Sequence, residues 1–450
     1  MNSAFMTSAP GKVIVYGEHA VVYGKAAMAA AISLRSYLHV TTLSKSQRTI
    51  TLNFPDVKLN HTWNIDELPW PTFNQPSKKK TYYDLVTTLD HELTAAMKPH
   101  LADISLHVPA EERKIHQNAA AAFLYLFLSL GSQSSHGTIY ALRSTIPIGA
   151  GLGSSASISV CISSALLLQA RALAGPHPDQ PAGEGQMQIE RINRWAFVSE
   201  MCIHGNPSGV DNTVTSYGKA VLFKRLDYSK PPKVVPLRNF PELPLLLVNT
   251  RQSRSTATEV AKVATLKKNL PDLTELLLNT IDKVTEAAHD LLNSPDYSPH
   301  DVATSETLGS LMNINHGLLV SLGVSHPRLD RIRELVDSCG VGYTKLTGAG
   351  GGGSAITLLK PKVQPTAMED LEAKLDAENF ERFELTLGTD GVGVLWPAVL
   401  KDQEIDLEGF LAAESVESIK ELVGDHASEY GPGWKFWKTI ENDTDKDGMA

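Results

Sequence analysis

The opening stretch, Ser8 to Ile32, alternates small, apolar and glycine residues, so Val13-Ile14-Val15 reads as a short buried strand and Tyr23-Gly24-Lys25 as a turn. Ser36 to Asn53 carries β-branched alternation (Val40, Thr41, Thr42, Thr49, Ile50, Thr51) broken by a polar turn at Ser44 to Arg48, which predicts a hairpin. Asn53 to Lys80 is rich in Pro, Asn and Lys with little periodicity and is expected to be a surface excursion. From Tyr82 to Leu130 the rhythm becomes helical, first through Leu85, Leu89 and Leu93, then in the alanine-rich run Asn118 to Leu130. A strand over Thr138 to Ser144 leads into the densest glycine cluster of the first half.

Strand Ala220 to Lys224 and the Pro-rich segment Tyr228 to Pro244 mark a domain crossing, with the boundary expected near residue 228. Beyond it come strand Leu245 to Asn249, helices between Thr256 and Gly323, a glycine-rich turn, and strands Ser354 to Leu359, Phe383 to Leu387 and Gly391 to Trp396. The predicted class is therefore α+β, with one domain over 1–228 and another over 229–400. Residues 401–450 turn polar, with one amphipathic stretch at Phe410 to Val423, and are expected to form a loosely attached tail.

A chain of 450 residues exceeds one ordinary core at roughly 100–200 residues per domain, which also favours two domains and a cleft. Its 42% hydrophobic and 20% charged residues suit a globular fold. A formal charge of −9 argues against wrapping nucleic acid, so any phosphate site is local. Cys161, Cys202 and Cys339 are widely spaced and read as reduced thiols of an intracellular protein. Met1 to Pro10 has no secretory pattern. The longest apolar runs, Ala119 to Leu130 and Ile158 to Ala170, fall short of the roughly 18–20 residues of a membrane span and read as buried helices.

Three clusters carry chemistry. In IPIGAGLGSSASISV, Gly149, Gly151 and Gly153 precede Ser154, Ser155 and a long apolar helix. Glycines let the backbone approach an anion, and first-turn N–H groups with the helix dipole favour negative charge, which fits a nucleotide triphosphate. A P-loop is excluded because Gly24-Lys25 is followed by Ala26, and a dinucleotide fingerprint because the glycines are spaced too tightly. In TKLTGAGGGGSAITLL, Gly348 and Gly350 to Gly353 run directly into a strand, unlike a flexible linker. In WAFVSEMCIHGNPSGVDN, Glu200 and Asp211 offer oxygens for Mg²⁺ and for a hydroxyl proton. Taken alone, an aspartate placed like Asp211 is more often a turn or cap residue and a glutamate placed like Glu200 more often a solvated helix residue, so the neighbouring motifs carry the argument. Lys12, just before the buried strand, has the position of an inward-facing cation.

Together, APGKVIVYGEHAVVYG, IPIGAGLGSSASISV and KLTGAGGGGSAI resemble, in order, the three motifs of the family of galactokinase, homoserine kinase, mevalonate kinase and phosphomevalonate kinase. The resemblance spans Ala9 to about Trp396. GEHAVVYG and IHGNPSGVDN are most similar to its mevalonate kinase branch, while a phosphomevalonate or homoserine kinase, or a non-catalytic metabolite sensor, remains the alternative. The resemblance implies a two-domain small-molecule kinase fold with the ATP and acceptor site in the cleft. It implies ATP as co-substrate, Mg²⁺ as cofactor, mevalonate as acceptor, and a cytoplasmic homodimer.

Residue by residue, the resemblance makes Asp211 the catalytic base and Lys12 its neighbour that stabilises the attacking oxygen and touches ATP. Gly149, Ala150, Gly151, Leu152, Gly153, Ser154 and Ser155 surround the phosphates, and Ser144 touches the nucleotide. Ser155 and Glu200 hold the metal, while Glu18, His19 and Thr256 line the acceptor pocket. One departure is Asp56, which follows Pro55 where family members often have Asn near the adenine.

Overall fold

Two long and almost wholly buried strands, β1 (Phe5–Tyr16) and β2 (Ala27–Thr42), run antiparallel as the spine of the computed structural model. The structure describes residues 4–78, 86, 88–177, 179–181, 183–225, 232–253, 255–294, 297–298, 301–400, 402–424 and 433–438. The period-2 alternation of strand side chains sends Ala29 and Ala31 to one core and Met28, Ala30, Ile32 and Leu34 to another. The pairing slips at Pro10/Gly11 and again at Ile14/Tyr16. Such irregularities re-aim the residues that follow, here Lys12 and then Glu18.

After β2 come β3 (Thr49–Phe54), β4 (Leu59–Asn64), α1 (Trp70–Phe73), α2 (His91–Leu101), α3 (Ala110–Leu130) and β5 (Thr138–Ser144). The expected hairpin does not form. β5 inserts between β2 and β3, antiparallel to the first and parallel to the second. A strand edge filled by β5 leaves β3 to pair with β4 instead. Nor is Asn53 to Lys80 a surface excursion over its described part. Phe54, Leu59, Trp63, Ile65 and Trp70 are all buried against α3, and the Trp70 indole donates to Ile65 O at 2.7 Å. Widely spaced aromatics without a regular period anchored this segment, which is why periodicity missed it. Leu85 and the run Lys79-Lys80 lie outside the described residues.

Both apolar runs are buried helices, one ending α3 and the other forming α4 (Ser154–Gln169). α4 is largely buried, and several of its serines find partners inside the protein: Ser157 Oγ donates to Ala9 O at 2.7 Å and Ser164 Oγ to Cys161 O at 3.0 Å, while Ser163 Oγ has none among the described residues. Satisfied hydroxyls are what make so polar a helix tolerable in a core. α5 (Glu184–His204) and α6 (Val210–Tyr217) pack beside it, followed by β6 (Ala220–Lys224), β7 (Lys233–Leu237) and β8 (Leu243–Asn249). The expected boundary at 228 lies outside the described residues.

The second half supplies α7 (Thr256–Asn269), α8 (Pro271–Leu292), α9 (Val302–Ser321), α10 (Pro327–Cys339), β9 (Gly342–Leu346) and β10 (Ser354–Leu359). α11 (Pro365–Ala377), β11 (Glu381–Leu387) and β12 (Gly393–Leu395) complete it. Strands of both halves join one sheet whose main path is β12-β1-β2-β11-β8-β10-β9. The seam is narrow: β11 meets β2 at Leu387 and Ile32, with Gly388 N–H donating to Ala31 O at 2.7 Å. Beneath the seam, Ile32, Ile146 and Leu152 share a core with Leu245, Val284, Leu308 and Ile356. No helix among the described residues is long and apolar enough to cross a membrane.

The tail is not loosely attached. A short hairpin, β13 (Val399–Leu400) with β14 (Gln403–Glu404), leads to α12 (Leu407–Ala412), α13 (Val416–Val423) and β15 (Lys435–Phe436), which pairs with β12. Phe410, Ile419, Val423 and Trp434 are buried with Met6, Tyr37 and Ala141 of the main sheet. Trp437 Nε1 donates to Gln188 Oε1 of α5 at 2.9 Å. Each such side chain contributes roughly 1.5–3 kcal/mol when fully buried, enough to hold a segment that is polar on average. Residues 425–432 and 439–450 lie outside the described part.

Candidate active site

The glycine loop before α4 places its three glycines at positive φ: Gly149 at 74°, Gly151 at 78° and Gly153 at 74°. The apolar residues between them, Ala150 and Leu152, are buried and anchor the loop. Gly153 is the residue where freedom matters most. It caps α4 in the left-handed region, and a Cβ there would lie 3.0 Å from Lys12 Cγ. The first intrahelical bond is Ser157 N–H to Gly153 O at 3.0 Å, so the N–H groups of Ser154, Ser155 and Ala156 come before it. A helix start of this kind is suited to an anion.

Lys12 joins this loop to a second element. Its backbone N–H donates to Leu152 O at 2.8 Å, and its ammonium lies 3.3 Å from Asp211 Oδ1. Asp211 sits in the first turn of α6, where the helix dipole favours an anion. α6 is fixed to α5 through Asn193: Asn212 Nδ2 donates to its Oδ1 at 2.6 Å, and its amide donates to Thr213 Oγ1 at 3.2 Å. Lys12 is buried while the Asp211 side chain is 36% exposed, so the pair opens toward solvent on the aspartate side.

Glu200, near the end of α5, faces the same space. Ser155 Oγ donates to its Oε2 at 3.3 Å and Ser159 Oγ to its Oε1 at 3.2 Å. Burial, reinforced by the nearby Asp211 charge, pushes the Glu200 carboxyl up to about 7, against the two hydroxyls and Lys12. His204 Nε2 lies 3.2 Å from Ser155 Oγ and 3.7 Å from Glu200 Oε2. A buried carboxylate beside a second one, whose hydrogen bonds come from hydroxyls, suits a hard divalent cation. The donor set is all oxygen apart from His204, and two protein oxygens leave the remaining positions to water or phosphate.

Glu18 and His19 lie elsewhere. The Glu18 side chain is wholly buried in an ion pair with Lys345 of β9, and Asn315 Nδ2 of α9 donates to it at 3.0 Å. His19 has φ of 60° and its Nε2 lies 2.8 Å from Ala349 O in the second glycine run. Burial lowers its pKa below the ordinary imidazole value. That run is closely packed: a Cβ on Gly350 would meet Val324 O at 2.0 Å, and one on Gly351 would meet Glu259 Oε1 at 2.4 Å. Thr347 Oγ1 donates to Ile14 O at 2.8 Å, a further link from the run to β1.

The structure thus gathers Lys12, Gly153, Ser155, Glu200 and Asp211 into one cluster. Ser144, at the end of β5, accepts from Ile146 N–H at 3.2 Å through Oγ, and its own N–H donates to Asp56 Oδ2 at 2.7 Å. Thr256 stands exposed in the first turn of α7, with no hydrogen bond to the cluster among the described residues. Sequence reasoning missed His204, Ser159, Lys345 and Glu259. Two of these carried a signal: His204 lies four places after Glu200 and Ser159 four after Ser155, the spacing that brings helix side chains together.

Comparison with known proteins adds to this geometry. Residues 117–219 match the family profile described as GHMP kinases N terminal domain, and residues 303–376 the profile GHMP kinases C terminal. The chain is 66% identical over 445 residues to mevalonate kinase erg12 of Aspergillus fumigatus, covering 97% of this chain and 83% of that protein. It is 33% identical over 400 residues to mevalonate kinase of Homo sapiens, covering 88% and 96%. Among solved structures, L. major mevalonate kinase in complex with R-mevalonate superposes with a TM-score of 0.60 at 23% identity, covering 85% of this chain and 96% of that one. At that identity the likeness speaks for the fold.

Proposed function

The chain belongs to the mevalonate kinases of the GHMP kinase family, and on that premise we propose that it transfers the γ-phosphate of ATP to mevalonate, giving 5-phosphomevalonate for isoprenoid and sterol precursors. The observation that carries the chemistry is the Lys12–Asp211 pair, 3.3 Å apart at the mouth of the phosphate loop. In this reading the acceptor hydroxyl oxygen attacks the γ-phosphorus, the bond to the β–γ bridging oxygen breaks, and the hydroxyl proton passes to Asp211. Lys12 offsets charge on the attacking oxygen and reaches the γ-phosphate, while the loop from Gly149 to Ser155 holds the phosphates by backbone N–H groups. Catalysis rests on positioning and electrostatics.

Mg²⁺ fits the oxygens of Ser155 and Glu200, which would hold it. When bound it supplies neutralisation of phosphate charge. Ser144 would touch the nucleotide, and Glu18, His19 and Thr256 are assigned to the acceptor side, Glu18 from behind through its buried pair and not by direct exposure. Family membership also supports a cytoplasmic homodimer and a division into kinase domains over 1–228 and 229–400, with 401–450 as an extension.

The test is ADP release with Mg-ATP against mevalonate, phosphomevalonate, homoserine and galactose. Turnover selective for mevalonate is expected; selectivity for another acceptor would discard the substrate while keeping the kinase. Asp211→Asn is expected to reduce kcat by at least ~10³-fold with ATP still bound, and a near-normal rate would remove Asp211 as the base.

A further inference from the structure

A second built site lies away from the phosphate loop. Arg35 of β2, only 8% exposed, sits in a cavity of about 530 Å³ also lined by Thr389, Lys420, Trp434 and Phe436. That volume is within the range of roughly 300–1,000 Å³ typical of small-molecule sites. The guanidinium donates through Nε to Ser8 Oγ at 2.8 Å, through Nη1 to Asp390 O at 2.8 Å, and through Nη2 to Gly391 O and to Ser8 O. All four acceptors are neutral. Asp390 and Glu242 reach the cavity, but both carboxylates are ion-paired with Lys219, at 3.6 and 3.1 Å.

Three cations, Arg35, Lys219 and Lys420, therefore stand against two carboxylates, and the Asp390 charge already favours the charged guanidinium. One positive charge remains over, and a buried cation is costly unless an anion joins it. Two further groups point to that anion. Thr389 Oγ1 is buried with no hydrogen-bond partner, and Lys420 of α13 has no ion pair among the described residues. Flat apolar surface adjoins them: the Phe436 ring lies 5.0 Å from the Arg35 guanidinium carbon, and Trp434 packs 5.8 Å from Tyr37. Lys420, Trp434 and Phe436 all come from the extension, which lies beyond the segments matched by the two family profiles.

We propose that this cavity binds a small organic oxyanion, a carboxylate or phosphate on a flat apolar body, with its charge against Arg35, Lys420 and Thr389 and its body against Trp434 and Phe436. Phenyl phosphate and benzoate are the probes, titrated separately by calorimetry into the full chain with saturating Mg-ADP on the phosphate loop. At least one probe is expected to bind saturably at one site; which one does separates a phosphate ligand from a carboxylate. Lys420→Glu should weaken that binding at least tenfold, and Thr389→Val several-fold, with melting temperature and KM for ATP unchanged. Arg35 is left intact because it ties β1 to the segment before β12. Absence of saturable binding by both probes, or binding that both variants leave unchanged, overturns the proposal.

Discussion

Two buried glutamates, Glu18 and Glu200, meet opposite fates. Glu18 comes with its own cation: Lys345, itself fully buried, and the Asn315 amide satisfy it across the two halves of the chain. Glu200 accepts hydrogen bonds from the hydroxyls of Ser155 and Ser159, has the His204 imidazole 3.7 Å away and no buried cation in contact among the described residues, stands near Asp211, and is pushed up to about 7 by burial. A compensated carboxylate fixes the halves to one another; an uncompensated one keeps a place for a cation from outside. The sequence position of each, a glutamate in a motif, is the same kind of fact, and only the partners tell a lock from a ligand.

The comparison breaks most visibly at Lys345. Lys345→Met leaves Glu18 buried with an amide alone, and removing one partner of a buried pair typically costs about 3–5 kcal/mol. A fall of that size in unfolding free energy, measured by denaturant titration, is expected, and adding Glu18→Gln should restore most of it. A loss below about 1 kcal/mol, the range of exposed pairs, would mean that the pair does not lock the halves.

Glu200→Gln should behave in the opposite way. Removing charge there relieves burial and the repulsion with Asp211, so the melting temperature should hold or rise. Activity should fall by about 10²–10³-fold in kcat, since the proposed metal clamp is worth several kcal/mol in the transition state. Loss of stability comparable to that of Lys345→Met would make Glu200 a second structural acid and dissolve the contrast.

How far these differences were legible depends on whether a signal was local. Strands Thr138–Ser144, Ala220–Lys224 and Ser354–Leu359 match the expected spans because each has turn residues at its ends and an apolar run between. The β2–β3 hairpin failed because sheet order is a long-range choice: β5, some ninety residues on, takes the edge. The extension was misjudged because mean polarity hides a few well-placed apolar residues such as Phe410 and Trp434. The loop glycines, Lys12, Glu200 and Asp211 were visible as motif residues, and the structure brings them together. Lys345 was not, because a lysine in a strand shows its burial only once a glutamate more than three hundred residues away is seen to meet it.

The finest test concerns His316, buried beside the lock. Its Nδ1 accepts from Leu346 N–H at 3.3 Å, and its Nε2 lies 3.7 Å from Asp330 Oδ1. Burial first, then the positive charges of Arg333 and Lys345, hold the imidazole down to about 4, against the pull of Asp330. The sign follows from proton uptake. Below the ordinary pKa of about 6.5 the unfolded chain binds a proton that the folded chain refuses. This contribution is therefore complete above pH 6.5 and is lost as pH falls from 6.5 toward 4, by about 1–3 kcal/mol. His316→Gln cannot titrate, so its unfolding free energy should fall less steeply over that window than the wild type's, and the two curves should converge toward pH 4. Parallel curves would show that the imidazole is protonated in place, and that the charge of Lys345 is spent on Glu18 alone.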